Sequence, residues 1–175
     1  MKLVWRKVPN ILKSARPQLW KKQPKAVIKD TGWKSGAIPP RNAPIFVRSK
    51  PLPPAWRWRS LALKLPDQSE AHCLFEVAPT FDKWKALLMV PAEGGEWSAI
   101  IRLEDQPRQS GLHVHVACDG TLTPGPRSID LPDRLPEHGK YHRRQRTWTP
   151  TTFFHTACDF LAILTDEQPG LFDEI

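Results

Sequence analysis

Proline is the residue that most constrains the fold of this chain, because 19 of the 175 residues are proline. That is about twice the usual share. Each proline inside a helix removes a hydrogen bond and clashes with the preceding turn, so the composition argues against an all-helical fold. Residues 36–55 hold six prolines and predict an extended, polyproline-like connector. No apolar run reaches the roughly 18 residues of a membrane span, so we expect no membrane association.

Positive charge is concentrated in the first third of the chain. Residues 1–60 hold 15 Lys and Arg and one acid, Asp30, whereas residues 61–175 carry a net charge of −6. A segment with such a surplus of positive charge requires an acidic partner. Nucleic acid is the favoured partner. The alternatives are the chain's own acidic remainder, on which the arm would dock, and another acidic partner.

The basic N-terminal segment does not have the features of a targeting peptide. Lys7, Lys13 and Arg16 interrupt every apolar stretch that a secretory signal would need, and prolines at 9, 17 and 24 break the long helix of a transit peptide. Three cysteines without a Cys-x-x-Cys pair argue against a disulfide scaffold and a zinc finger. We therefore expect a cytoplasmic protein.

Alternating apolar residues predict strands in the middle of the chain. The five strand segments are residues 56–65, 72–79, 83–90, 97–104 and 112–118. Thr149 and Pro150 predict the start of a helix. The expected fold class is α+β, an antiparallel sheet of about five strands with one C-terminal helix packed on it. In domain terms, residues 1–55 are a basic Pro/Trp-rich arm and linker, residues 56–165 the α+β domain, and residues 166–175 a short acidic tail.

Tryptophan is interleaved with the basic residues. Five of the eight tryptophans lie in the first 60 residues. Single-stranded nucleic acid stacks its bases on such rings while Lys and Arg contact its phosphates. The alternative is that the rings anchor the arm on the domain. The predicted nucleic-acid-binding residues are Lys21, Lys22, Lys25, Trp56, Arg57, Trp58, Arg59, Arg143, Arg144 and Arg146.

Histidines form a second candidate site. His113 and His115 are two residues apart on a predicted strand and therefore share a face. A basic segment downstream adds His138, Tyr141, His142 and Arg143. With a divalent metal ion, His113 and His115 would be ligands. Without one, two histidines would serve as general base and acid in RNA cleavage. Passive surface histidines and phosphate contacts are the alternatives.

The C-terminal tail carries a short peptide motif. Gln168, Leu171 and Phe172 stand in the spacing Gln-x-x-Leu-Phe, which resembles the peptide that binds the bacterial sliding clamp. The resemblance covers five residues and implies that Leu171 and Phe172 fill an apolar pocket while Gln168 hydrogen-bonds at its rim. The alternative is that both apolar side chains fold back on the core.

Together these features predict a nucleic-acid-binding protein, with DNA slightly preferred over RNA because of the tail. A histidine-based nuclease or phosphoesterase is the rival. An interaction subunit whose arm wraps a larger protein or nucleoprotein complex is the third hypothesis. The predicted function requires no cofactor, and a divalent metal ion at the histidine site is kept as an alternative.

Overall fold

A computed structural model of the chain describes residues 22–42, 52–91, 97–107, 109–116 and 148–165. One α-helix, α1 (Pro150–Phe160), lies near the end of this part, and two short 3-10 turns lie at Pro40–Asn42 and Pro79–Phe81. The strands are β1 (Lys25–Asp30), β2 (Lys34–Ser35), β3 (Arg57–Lys64), β4 (Glu70–Ala78), β5 (Lys83–Pro91), β6 (Trp97–Gln106), β7 (Gln109–Val116) and β8 (Ile163–Leu164).

All eight strands belong to one curled, mixed sheet. Its order is β7-β6-β5-β4-β3-β1-β8, and β2 pairs with β3 beside this path. Strands β3 to β7 form an antiparallel meander in which each strand pairs with the next. β1 pairs antiparallel with β3, and β8 pairs parallel with β1.

The predicted fold class is therefore wrong in its architecture. Within the described residues the sheet has eight strands rather than about five, it is mixed rather than antiparallel, and α1 is followed by β8. Part of the segment expected to be an extended arm forms β1 and β2 and pairs with β3. These additions escaped detection because β2 and β8 have two residues each, too few for a periodic pattern.

The two faces of the sheet have separate cores. Leu61 and Leu63 of β3 face the main core, where Phe153 and Phe154 of α1 pack. Trp58 of β3 faces a smaller cluster on the other side, which also contains residues of the chain outside the strands, Ile38 and Leu52. Because side chains alternate along a strand, one strand supplies both cores.

The start of α1 is confirmed at the predicted residues. Thr149 caps the helix, its Oγ1 accepting from the backbone N–H of Thr152 at 3.1 Å, and Pro150 occupies the first turn. The helix buries Phe153, Phe154 and Ala157. After α1, Ala162 adopts a left-handed conformation with φ 53°, and the chain turns into β8. No helix within the described ranges has the length and apolar character to cross a membrane.

Candidate nucleic-acid interface

Three aromatic and three basic residues lie at one end of strands β2 to β5. The register brings this end together, since β2 pairs with the start of β3 and Ala78 at the end of β4 pairs with Lys83 of β5. Trp56 and Phe81 stand just before β3 and β5, whereas Trp33 stands before β2, which runs antiparallel to β3, and packs on the face that carries α1. We call the set the aromatic–basic cluster: Trp33, Lys34, Trp56, Arg57, Phe81 and Lys83.

Each tryptophan of the cluster has a basic side chain over its ring. The guanidinium carbon of Arg57 lies 5.9 Å from the ring centroid of Trp33. Nζ of Lys83 lies 6.0 Å from the ring centroid of Trp56. Both distances stand at the outer limit of about 6 Å for a cation–π contact, whose exposed examples are worth about 0.5–1 kcal/mol. A flat ligand therefore has little to displace on either ring.

The core fixes both rings while part of each stays at the surface. Trp33 is half-buried and meets Phe154 edge-on, with 6.5 Å between ring centroids. Trp56 is half-buried against the smaller core cluster. Phe81 is 52% exposed in the turn before β5. Aromatic rings held in this way offer flat apolar surface without the cost of ordering a mobile side chain.

A tight turn positions Trp33. Gly32 has a φ of 62°, in the left-handed region that glycine adopts without strain. Its N–H donates to Oδ1 of Asp30 at 2.8 Å, and Ser60 N–H donates to Oγ1 of Thr31 at 2.9 Å. These bonds hold the link between β1 and β2 against β3.

Acidic groups at this end of the sheet are engaged within the fold. Asp82 is exposed and accepts from Nε1 of Trp84 at 3.0 Å. Asp105 is buried and accepts from Nε1 of Trp148 at 2.9 Å. Among the described residues, the exposed acids near the three basic side chains of the cluster are Asp30 and Asp82, and both carboxylates are engaged within the fold.

The predicted nucleic-acid-binding residues are divided between surface and interior. Lys22 and Arg57 are exposed, and Trp56 is half-buried. Trp58 is buried with 4% exposure. Arg59 is also buried, and its guanidinium carbon lies 3.7 Å from the ring centroid of Phe154. Trp58 and Arg59 are therefore not part of the aromatic–basic cluster.

Lys25 is fully buried, although sequence analysis placed it among the phosphate contacts. Its Nζ donates to the carbonyl oxygen of Gln23 at 2.7 Å and to that of Leu161 at the end of α1. Burial lowers the pKa of Lys25 to about 8. A cation at a helix C-terminus is stabilising, so Lys25 joins β1 to the turn between α1 and β8.

The sheet face opposite α1 carries charged residues that sequence analysis did not single out. One row runs across four strands from Trp58 through Glu76 and Lys85 to Glu104. Lys85 Nζ contacts the carboxylate of Glu76, which is fully buried. Arg102, two residues before Glu104 on β6, has its Nε 3.1 Å from Oε2 of Glu104. The available signal was a single acid, Glu76, inside the apolar run CLFEVA.

The two strand histidines stand beside this charged row in the register. His113 pairs with Glu104, and His115 pairs with Arg102. Within the described ranges, no three His, Cys, Asp or Glu side chains come together as metal ligands would. The remaining predicted site residues lie outside the described residues, namely Lys21, His138, Tyr141, His142, Arg143, Arg144, Arg146, Gln168, Leu171 and Phe172.

No family model matches the chain, and comparison with curated proteins and with solved structures gives no match.

Proposed function

We propose that this protein binds single-stranded nucleic acid through the aromatic–basic cluster. The observation that carries the proposal is the pairing of each half-buried tryptophan with a cation over its ring, Arg57 on Trp33 and Lys83 on Trp56. Unpaired bases stack on such rings, and the displaced cations are then placed to contact the phosphates that flank the bases. The surplus of 15 basic residues over one acid in residues 1–60 supports an anionic partner.

Single strands are favoured over duplexes because stacking requires an exposed base face. Trp33 and Trp56 pack against the cores on opposite faces of the sheet, so each offers a separate stacking surface for an unpaired base. Stacking contributes about 1–3 kcal/mol per base. Duplex DNA keeps its bases stacked on one another and would gain only the phosphate contacts. DNA as the preferred nucleic acid rests on the tail motif alone.

The test compares two tryptophans that pack against the same core cluster. Trp56 and Trp97 are both half-buried beside it, but they lie at opposite ends of the sheet, near Lys83 and Pro91 of β5 respectively. Trp56→Leu is expected to weaken binding of a labelled oligothymidine by roughly 5- to 100-fold. Trp97→Leu removes a similar ring and is expected to leave affinity unchanged. Equal effects of the two substitutions would contradict the proposal.

Phosphodiester cleavage is a second candidate function. The observation in its favour is the register of β7, which sets His113 opposite Glu104 and His115 opposite Arg102. Glutamate and arginine therefore occupy the paired positions on β6, and these are residue types that general acid–base cleavage uses together with histidine. Incubation of a labelled RNA with the parent protein and with His113→Ala tests this directly. Cleavage by the parent that the variant lacks is expected, and equal cleavage or none would contradict it.

A further inference from the structure

The charged row on the face opposite α1 is unusual because that face also carries a close-packed apolar cluster. Leu74, Leu87 and Met89 are almost completely buried there. Two ion pairs, Glu76–Lys85 and Glu104–Arg102, lie on the same strands. A buried ion pair is often no more stabilising than apolar residues of similar size. Folding alone therefore does not account for four charged side chains at these positions.

In each ion pair the cation is the more accessible partner. The side chain of Lys85 is 25% exposed over a Glu76 side chain that is 0% exposed. The side chain of Arg102 is 25% exposed beside a Glu104 side chain that is 14% exposed. The carboxylates thus lie beneath the cations and orient them, so this face presents an ammonium and a guanidinium to a ligand.

Two buried hydrogen-bond donors of this face make no hydrogen bond within the described residues. One is Nε of Arg102, which lies 3.1 Å from Oε2 of Glu104 in their ion pair. Nε1 of Trp58, in the same row beside Glu76, is likewise buried without an acceptor in that part of the chain. Buried donors of this kind are costly unless an acceptor reaches them.

We propose that Lys85 and Arg102 form a binding site for a phosphate group, separate from the aromatic–basic cluster. The planar guanidinium of Arg102 suits the paired oxygens of phosphate, and Lys85 adds a point charge two strand positions away. The phosphate belongs either to a mononucleotide or to a nucleic-acid chain. The proposal does not depend on nucleic acid binding at the cluster.

The test is a titration of the full chain with inorganic phosphate, observed at the arginine Nε–H resonances by NMR. The Arg102 resonance is assigned by its absence in Arg102→Gln. We expect it to move saturably as Nε–H gains an acceptor, whereas chloride at the same ionic strength leaves it unmoved. A resonance that does not move, or that moves equally with chloride, would overturn the proposal, and Arg102→Lys, which keeps the charge, provides the same assignment if Arg102→Gln does not fold.

Two variants separate this site from nonspecific charge attraction. In Arg102→Gln, phosphate binding measured by equilibrium dialysis of labelled phosphate is expected to weaken roughly tenfold or more. Lys64→Gln removes a cation at an exposed position outside both sites and is expected to leave phosphate binding unchanged. Displacement of phosphate by adenosine monophosphate alone identifies a mononucleotide site, and displacement by oligothymidine identifies a chain phosphate. Equal losses in Lys64→Gln and Arg102→Gln would show nonspecific charge attraction and contradict the proposal.

Discussion

The guanidinium group of Arg59 binds the carboxylate of Asp30, with its Nε 3.0 Å from Oδ1 and 3.1 Å from Oδ2. This ion pair joins β3 to the end of β1. Because the same guanidinium covers the ring of Phe154, Arg59 also connects both strands to α1. Asp30, the one acid among the first 60 residues, therefore acts within the fold. Through this ion pair, Asp30 attaches part of the basic N-terminal segment to the sheet.

Asp30→Asn is expected to destabilise the protein by about 1–3 kcal/mol, because it leaves the buried charge of Arg59 without its counter-ion. Chemical denaturation of parent and variant measures the difference in the free energy of unfolding. The double variant Asp30→Asn/Arg59→Met is the control, and it should recover part of the loss because no unpaired charge remains. A single variant as stable as the parent would contradict this role.

The same ion pair predicts a loss of stability in acid. Burial raises the pKa of Asp30, but hydrogen bonds from Arg59 and Gly32 together with the charge of Arg59 outweigh it, so the pKa lies below its ordinary value. A carboxyl group whose pKa is lowered by folding stabilises the fold fully above the ordinary aspartate pKa of about 3.9. This contribution to the free energy of unfolding is lost as the pH falls from there toward the pKa of the folded state. The stability difference between parent and Asp30→Asn should shrink over this range. A constant difference would count against the assignment.

The lowered pKa of Lys25 predicts a gain of stability at alkaline pH. Its pKa is about 8 in the fold against 10.5 for an unperturbed lysine, so between these values the unfolded chain binds more protons than the folded one. The contribution of Lys25 to the free energy of unfolding should therefore rise from pH 8 to 10.5, by on the order of 3 kcal/mol. Burial raises the pKa of Cys73, which opposes this trend. Because Lys25 also lowers the pKa of Cys73, the comparison is made between Cys73→Ala and Cys73→Ala/Lys25→Met, and a flat difference would refute the prediction.

The tail peptide gives a prediction that is independent of the sheet. If Gln168, Leu171 and Phe172 bind a sliding clamp, replacing Leu171 and Phe172 by alanine should abolish clamp capture, because each apolar anchor is worth roughly 1.5–3 kcal/mol when buried. The thermal midpoint of the isolated protein should barely change. A large fall in the midpoint, without clamp capture by the parent, would show that both side chains belong to the core instead.

Sequence patterns predicted the elements that are long and periodic. The five central strands β3 to β7 lie close to the apolar segments that predicted them, and Thr149 with Pro150 marks the start of α1. β1 was missed because its basic residues matched a solvent-exposed arm, whereas its position depends on long-range contacts of Lys25 with Leu161 and of Asp30 with Arg59. Contacts between residues so far apart in sequence leave no local pattern.

The candidate site was predictable only in part. The basic and tryptophan-rich composition pointed to Trp56 and Arg57, but strand pairing was needed to bring Lys83 to Trp56. Trp58 and Arg59 are buried, unlike their neighbours Trp56 and Arg57. The alternating pattern of β3 could not predict this difference, because it does not show which face of the strand other residues cover. The charged row required the register of four strands, because its members are distant in sequence.

The central claim is that Arg57 and Lys83 bind the phosphates of a single strand, and its most direct test is the salt dependence of affinity. For the parent protein, the logarithm of the association constant for labelled oligothymidine should fall linearly with the logarithm of salt concentration. In Arg57→Gln/Lys83→Gln the slope should be shallower by about 1.4, about 0.7 for each lost phosphate contact. The control Lys29→Gln/Lys64→Gln changes charge equally at exposed positions away from the cluster. The slope of this control should match the parent, and equal slopes in both double variants, or no binding by the parent at low salt, would contradict the account.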